Sequence, residues 1–149
     1  MNFIVVGLNH KTADVEMRER LYFRLGKMDE VYNELGKYES VKGSVILSTC
    51  NRVEIYASVD RIEKGLKDVI DFICKYHNVK EDELHGMIYK KENQYAVSHL
   101  FKVTASLDSM VVGEYQIQGQ VRDAYFNAVE HKSTNGMLNK LFQTAIRIG

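Results

Sequence analysis

Four segments of the chain carry the side-chain pattern of β-strands. Residues 3–8 form an apolar run of mostly branched side chains, which is typical of a buried strand. Residues 44–49 repeat that character, and residues 52–59 alternate between apolar and polar side chains, which predicts a strand with one buried face. The short polar segment between these two strands predicts a hairpin, and a fourth strand is expected around residues 87–89.

Helical periodicity fills most of the remaining chain. In residues 62–77 apolar side chains recur every three or four positions, which marks one face of an amphipathic helix. Upstream, Thr12 or Asp14 is placed to cap a first helix, and a second helix is expected over about residues 28–38. Three further helices are predicted towards the C-terminal end, over about residues 94–106, 114–131 and 136–149.

This order of elements predicts an α+β fold. The order β-α-α-β-β-α-β-α-α-α favours a ferredoxin-like βαββαβ sheet, antiparallel or mixed, with helices on one face and additional C-terminal helices. A chain of 149 residues has the length of one domain, and neither an internal repeat nor a proline-rich linker divides it. We therefore expect a single domain over residues 1–149. Its last helix reaches Gly149 without a stop signal, so we expect the protein to continue beyond this chain.

Composition and charge narrow the range of partners and compartments. Twenty Lys and Arg balance twenty Asp and Glu, which argues against a nucleic-acid or membrane binder that relies on overall charge. No apolar run approaches the roughly 18–20 residues of a membrane helix, and the N-terminal segment lacks the features of a signal peptide. Two cysteines make no disulfide framework. We therefore expect a cytoplasmic protein without a membrane partner.

Residue spacing does not indicate a dinucleotide site or a metal site. The ten glycines never form Gly-x-Gly-x-x-Gly, so any redox chemistry would need a cofactor held elsewhere. No two of the five histidines have the spacing of metal ligands, so no zinc site is expected.

Cys50 is the first candidate for chemistry. Cysteine is most often a buried packing residue, and Cys74, on an amphipathic helix, fits that role. Cys50 instead lies at a strand end among small polar residues, two positions from Arg52. A neighbouring guanidinium and exposed backbone N–H groups favour the thiolate, which is the nucleophilic form of the side chain. From the residues alone Cys50 is either a bystander or a nucleophile.

His99 is the second candidate. One interpretation is a hydrogen-bonded histidine at the edge of the core. The other is a general acid or base, a task for which histidine is the commonest choice.

A polar segment and a basic cluster complete the candidates. Residues 107–120 combine the Ser109 hydroxyl, the Glu114 carboxylate and the amides of Gln116 and Gln120, which share one helix face. These groups suit a small polar ligand, although a solvated helix start also explains them. The basic residues between positions 18 and 27 form either a solvated helix face or a contact to an RNA backbone.

Three segments carry more specific motifs. They are Gly7–Ala13, Ser48–Glu54 with its Ser-Thr-Cys-Asn-Arg block, and Leu107–Gln120 with Gly-Glu-x-Gln-Ile-x-Gly-Gln. Together with His99, which precedes a Leu-Phe pair, they resemble the N-terminal catalytic domain of the glutamyl-tRNA reductase family. The resemblance covers essentially the whole chain, and the two blocks in this order are highly specific.

The resemblance implies an enzyme that uses NADPH to reduce glutamyl-tRNA to glutamate-1-semialdehyde, the first step of the five-carbon route to tetrapyrroles. It implies that Cys50 attacks the aminoacyl ester, forms a thioester and releases the tRNA. It further implies that Arg52 pairs with the glutamate side-chain carboxylate and that His99 is needed for activity in a role left open. The other residues implied to line the substrate pocket are Thr49, Asn51, Ser109, Glu114, Tyr115, Gln116 and Gln120.

Two positions and the chain length depart from the family pattern. Tyr115 stands where proline is usual, and Ser106 stands where glycine is usual, which affects the expected pose of Gln116. The family's NADPH-binding domain and C-terminal dimerisation domain would follow this one and are absent from this chain. We therefore expect residues 1–149 to bind neither cofactor nor metal and to perform acyl transfer without reduction. We expect a homodimer for the full-length protein.

A non-catalytic module that binds a small molecule or RNA is the alternative. An RNA-binding sheet would expose aromatic side chains and a basic face, which the aliphatic strands and the balanced charge do not indicate. A small-molecule module would keep its affinity after Cys50 is replaced by serine, whereas the enzyme requires the thiol.

Overall fold

Four strands form an antiparallel sheet in the computed structural model, which describes residues 1–105 and 116–149. The strands are β1 (Asn2–Asn9), β2 (Val41–Ser48), β3 (Arg52–Val59) and β4 (Tyr89–Glu92). Their order across the sheet is β2-β3-β1-β4, and all three pairings are antiparallel. The predicted ferredoxin-like α+β fold is confirmed, with an antiparallel rather than a mixed sheet.

Six α-helices connect and cover the strands in the described part of the chain. They are α1 (Val15–Leu21), α2 (Met28–Leu35), α3 (Ile62–His77), α4 (Gln94–Thr104), α5 (Gln116–Glu130) and α6 (Gly136–Ile148). Asp14, rather than Thr12, caps α1, because its carboxylate accepts the Met17 N–H at 2.9 Å. None of the helices in residues 1–105 and 116–149 is long and apolar enough to cross a membrane.

Helices cover both faces of the sheet, so the expectation of helices on one face is wrong. On one face α3 packs so closely that a Cβ at Gly65 would lie 2.6 Å from a methyl carbon of Val59. On the opposite face the ring of Tyr56 meets Phe142 of α6 edge-on, with 5.4 Å between the ring centroids. Val59 and Tyr56 point to opposite faces of β3 because side chains alternate along a strand.

The double cover buries all of β3, which corrects the prediction of a half-buried strand. The polar side chains that alternate along β3 face the C-terminal helices rather than water. Asn135 is one of the residues that fasten these helices to the sheet. Its side chain caps α6 by accepting the Leu138 N–H at 3.0 Å and donates to Ser58 Oγ at 2.5 Å. A polar face of β3 therefore persists, but its partners are protein groups.

Candidate active site

The candidate residues gather at one end of the sheet. The last residue of β1, Asn9, pairs with Arg52 at the start of β3, and Gly7 pairs with Tyr89 at the start of β4. The β2–β3 hairpin tip projects from the same end because it directly precedes Arg52. The antiparallel register thus brings together segments that are more than 80 residues apart in sequence.

Thr49 shapes the hairpin tip. Its hydroxyl oxygen accepts the N–H groups of Asn51 at 3.1 Å and Arg52 at 3.2 Å, and its own N–H donates to the Arg52 carbonyl at 2.8 Å. The side chain of Thr49 is buried while Cys50, at the tip, is exposed. Thr49 therefore holds the turn that presents Cys50, which is not a core residue.

Cys74 contrasts with Cys50. It lies half-buried on α3, packed against the core as the sequence predicts. Burial raises the pKa of the Cys74 thiol, and the charges of Glu81, Asp71 and Glu83 act in the same direction. The neutral, unreactive form of this thiol is therefore favoured.

Arg18 lies directly against the hairpin tip, a contact that sequence reasoning missed. Its Nη1 donates to the Cys50 carbonyl at 3.0 Å, and its Nε donates to the Asp14 carbonyl at 3.4 Å. The basic cluster on α1 is therefore not only a solvated helix face. No local signal in the sequence connects Arg18 with Cys50, because 32 residues separate them.

A groove of about 590 Å³ opens beside the nucleophile candidate, and we call it the Cys50 groove. The hairpin tip forms one wall, and α1 with the segment after it forms the other. Its lining residues are Val15, Arg18, Glu19, Tyr22, Arg24, Thr49, Cys50 and Asn51.

Behind the tip, a buried carboxylate organises four polar side chains. Glu54 is fully buried, and its Oε2 accepts from Arg52 Nη1 at 3.3 Å while its Oε1 accepts the Tyr56 hydroxyl at 2.7 Å. The Tyr89 hydroxyl and His99 Nε2 also bond to Oε2. Arg52 is buried too, with 1% of its surface exposed. We call these five residues the Glu54 network.

The neighbours of Glu54 keep it ionised despite its burial. Burial by itself would raise the pKa of this carboxyl, but the hydrogen bond and charge of His99, the charge of Arg52 and the hydrogen bond from Tyr89 lower it below its usual range. The same arrangement raises the pKa of Tyr56 well above its usual value, first through burial and then through the charge of Glu54. An ionised Glu54 only accepts hydrogen bonds, so Nε2 of His99 is the donor in their contact.

Gly7 makes space for this network. In the register of the sheet it lies between Glu54 on β3 and Tyr89 on β4. A Cβ at Gly7 would approach the Val53 carbonyl oxygen to 2.6 Å and Glu54 Cγ to 2.8 Å. Without a side chain at this position, Glu54 extends over β1 and reaches the Tyr89 hydroxyl.

His99 lines a second groove, of about 370 Å³, rather than the Cys50 groove. The loop after β1, β4 and α4 form its walls. Its lining residues are Asn9, Lys11, Thr12, Tyr89, Lys91, Tyr95, Ser98, His99 and Lys102. The two leading candidates thus lie at the same end of the sheet but in different grooves.

The remaining predicted pocket residues are only partly described. Ser109, Glu114 and Tyr115, like Ser106, lie outside the described residues. Gln116 is exposed at the start of α5. Gln120 lines a separate cavity, which shares Tyr22 with the Cys50 groove.

No cluster with the composition of a metal site exists in residues 1–105 and 116–149, where no three His, Cys, Asp or Glu side chains are grouped to hold an ion.

Comparisons with known proteins give a consistent result. Residues 6–149 match the family model described as glutamyl-tRNAGlu reductase, N-terminal domain. The chain is 46% identical over 149 residues to glutamyl-tRNA reductase of Pelotomaculum thermopropionicum and 44% identical to that of Carboxydothermus hydrogenoformans. Each alignment covers 100% of this chain, but only 34% and 33% of those proteins.

A solved structure agrees with the sequence matches. Glutamyl-tRNA reductase from Methanopyrus kandleri superposes with a TM-score of 0.80 at 33% identity, covering 97% of this chain and 32% of that one. The chain therefore spans about a third of the length of the relatives that it matches.

Proposed function

The chain belongs to the family of glutamyl-tRNA reductase N-terminal domains, and from that premise we propose that it carries the acyl-transfer half of glutamyl-tRNA reduction. The observation that carries this proposal is the exposed thiol of Cys50, presented on a hairpin tip in a groove with two arginines. An exposed cysteine at a preorganised turn suits nucleophilic attack, whereas a packing cysteine such as Cys74 does not.

The proposed reaction begins with the Cys50 thiolate attacking the carbonyl carbon of the aminoacyl ester. A sulfur–carbon bond forms, and the carbon–oxygen bond to the ribose of the tRNA breaks. The thiol proton ends on the departing ribose hydroxyl, and the glutamyl group remains on Cys50 as a thioester. No electrons are exchanged in this half of the reaction.

Arg52 is the proposed partner of the glutamate side-chain carboxylate. A guanidinium has five N–H donors in a planar fork, so one group is able to hold Glu54 and a second carboxylate. Glu54 fixes the position of Arg52 from behind. We assign the rest of the substrate pocket to Thr49, Asn51, Ser109, Glu114, Tyr115, Gln116 and Gln120.

His99 is the proposed proton carrier. Because its Nε2 donates to the Glu54 carboxylate, Nδ1 is the nitrogen that remains to accept or release a proton. A carboxylate in this position orients the imidazole in the same way as in hydrolase triads. We propose that His99 either takes the thiol proton or delivers a proton to the ribose hydroxyl.

The described sheet is unlike the open parallel sheets that bind dinucleotides at the carboxyl ends of their strands, because all strand pairings in residues 1–105 and 116–149 are antiparallel. We therefore assign the NADPH-dependent reduction to no residue of this chain. For the whole protein we propose formation of glutamate-1-semialdehyde for tetrapyrrole synthesis, a homodimer and a cytoplasmic location.

The test is intact-mass spectrometry after brief incubation with glutamyl-tRNA and an acid quench. We expect a glutamyl adduct on the wild-type chain, mapped to Cys50. Cys50→Ser should lose the adduct, while the matched variant Cys74→Ser should keep it.

Three results would contradict the proposal. An adduct that persists in Cys50→Ser would show that Cys50 is not the nucleophile. Equal binding of glutamyl-tRNA by wild type and Cys50→Ser, with no adduct and no faster release of glutamate in either, would favour the non-catalytic module. NADPH consumption by this chain would contradict the division of the reaction into two halves.

A further inference from the structure

Cationic and aromatic side chains line the Cys50 groove beside the hairpin tip. We propose that this groove is the binding site for the 3′-terminal nucleotide of the tRNA, with its phosphate on Arg18 and Arg24 and its base on Tyr22. This inference rests on the proposed function, because it places the leaving group of the acyl transfer. The groove's volume of about 590 Å³ lies in the range of small-molecule sites, roughly 300–1,000 Å³.

Two guanidiniums in the groove have charges that described carboxylates do not neutralise. Within the part of the chain that the structure describes, Arg18 donates to the backbone carbonyls of Asp14 and Cys50, which are neutral acceptors. Arg24 is exposed and forms no ion pair within residues 1–105 and 116–149. Among the described lining residues Glu19 is the one acidic side chain against two arginines, so this part of the lining carries a net positive charge suited to a phosphate.

Arg20 provides the contrast on the same helix. Its Nη1 pairs with Glu83 at 3.2 Å, and it does not line the groove. Thus α1 directs one arginine into an ion pair and another into the groove. Only the second is available to an anionic ligand.

Tyr22 supplies a flat apolar surface at the same place. It follows the last residue of α1, where the backbone turns extended, and it remains 42% exposed. An exposed aromatic ring next to guanidiniums is the arrangement on which single-stranded nucleic acids stack their bases.

The chemistry fixes which nucleotide the groove would take. The ester carbon must reach Cys50, so the ribose that carries the ester lies next to the hairpin tip. The phosphate and base of that same terminal nucleotide then extend along the groove. A site that holds one nucleotide beside Cys50 would position the ester for attack by binding a part of the substrate that does not react.

The experiment compares Arg24→Gln and Tyr22→Ala with the matched control Arg20→Gln in the 149-residue chain. Acylation of Cys50 is followed by intact mass with glutamyl-tRNA and, separately, with the α-methyl ester of glutamate, which has no nucleotide. We expect the ratio of the two acylation efficiencies to fall about tenfold in Arg24→Gln and in Tyr22→Ala, and to stay at the wild-type value in Arg20→Gln.

A binding measurement separates the two contributions and does not depend on the chemistry. The probe is a fluorescently labelled RNA hairpin that ends in an unacylated CCA strand, followed by anisotropy between low and high salt. Losing a phosphate contact should reduce the slope of log K against log salt by about 0.7 in Arg24→Gln. Tyr22→Ala should weaken binding without changing that slope.

These readouts distinguish the inference from the proposed function. If Arg24→Gln and Tyr22→Ala behave like Arg20→Gln in both assays, the nucleotide site is wrong, whether or not Cys50 is acylated. A different result is that neither the wild-type chain nor any variant is acylated, while the hairpin RNA still binds with the expected variant effects. The nucleotide-binding site would then be supported, and the acyl-transfer function would be contradicted.

Discussion

Glu54 carries a charge where charges are rare, and its neighbours make that possible. Arg52, Tyr56, Tyr89 and His99 all direct polar atoms at its two oxygens. An ion pair buried to this extent is strongly destabilising when one partner is removed, because the other charge is left without compensation. The network therefore links the arginine that we propose to bind substrate, and the proposed proton carrier His99, to the stability of the fold.

Replacing Glu54 by glutamine should lower the free energy of unfolding by about 3–5 kcal/mol at pH 7, because the buried Arg52 guanidinium loses the counter-charge of Glu54. Urea unfolding measures the change. The matched control is Glu39→Gln, an exposed residue in a turn, which should stay within about 0.5 kcal/mol of wild type.

The same variant has a pH signature. Since the pKa of Glu54 is lowered in the folded chain, its stabilisation is complete above the pKa of an unfolded carboxyl and is lost as pH falls through the folded value. The difference in free energy of unfolding between wild type and Glu54→Gln should therefore decrease as the pH becomes acidic. A difference that stayed constant down to pH 3 would argue against an ionised Glu54.

His77 is a partly buried group that the proposed mechanism does not use. Its Nε2 atom is buried and has no hydrogen-bond partner among the described residues, and its ring packs on Phe23 with 4.5 Å between centroids. Burial lowers its pKa to about 4. Between pH 6.5 and 4 the unfolded chain binds a proton that the folded chain rejects, so stability falls as the pH falls through this window.

Substituting His77 by phenylalanine should remove this contribution. Relative to wild type, the variant should gain about 1 kcal/mol of stability between pH 7.5 and pH 5, less than the full shift implies because the ring is partly exposed. Thermal unfolding at the two pH values measures it. As a control, Tyr76→Phe alters the same aromatic cluster and should keep the wild-type dependence of stability on pH. If the stability of His77→Phe followed the same pH dependence as wild type, a neutral His77 ring in the folded chain would be refuted.

The surroundings of a residue can be predicted from the sequence where they depend on its neighbours along the chain, and poorly where they depend on distant contacts. The exposed position of Cys50 at the end of a strand follows from its polar neighbours. The burial of Glu54 does not follow from its neighbours, because an alternating strand usually turns its polar side chains to water. Nor does the contact of Arg18 with Cys50, which exists only after α1 has docked.

Two helical glycines show how differently α3 and α5 meet their surroundings. Gly65 of α3 lies against Val59, and the contact leaves no room for a methyl group. Outside the adjoining backbone of α5, the described atom nearest to the position of a Cβ at Gly119 is Arg122 Nη2, at 3.6 Å. The first glycine allows a helix to approach the sheet, while the second has no packing reason in the described chain.

Alanine at these two positions should change stability in opposite directions. Gly65→Ala should destabilise the fold by about 1–3 kcal/mol, since overpacking outweighs the better helix propensity. Gly119→Ala should stabilise it by roughly 0.5–1 kcal/mol through propensity alone. Chemical unfolding of both variants checks this, and a stabilised Gly65→Ala would contradict the close approach of α3 to β3.

Periodicity predicted elements better than it predicted their arrangement. The bounds of α3 agree with the sequence, because its apolar face is continuous and it ends at Asn78 in the left-handed region. The predicted strand around residues 87–89 instead lies at Tyr89–Glu92, where three charged residues interrupt the apolar pattern by which a strand is recognised in sequence. The layer of helices on the second face of the sheet could not be predicted, because the local sequence of a C-terminal helix does not indicate which face of the sheet it covers.

The molecule as a whole has no net charge. Its sequence pI is about 7.0, so repulsion between copies is weakest near neutral pH. Solubility in low salt should therefore be lowest near pH 7 and rise by pH 8.5, as measured by precipitation with polyethylene glycol. Lys67→Glu, on the exposed side of α3, should move the minimum to lower pH. If the pH of minimum solubility did not change, a local surface patch rather than net charge would control association between copies of the chain.

The register of the sheet also has a consequence for synthesis on the ribosome. The apolar run of β1 is translated first, yet its partners β3 and β4 end only at Val59 and Glu92. At roughly 5–20 residues per second, synthesis takes several seconds to reach the end of β4, and until then at least one edge of β1 lacks its partner strand. During that time Phe3–Leu8 is the kind of segment that chaperones bind. The time during which the chain needs a chaperone therefore depends on the distance in sequence between β1 and its partners β3 and β4.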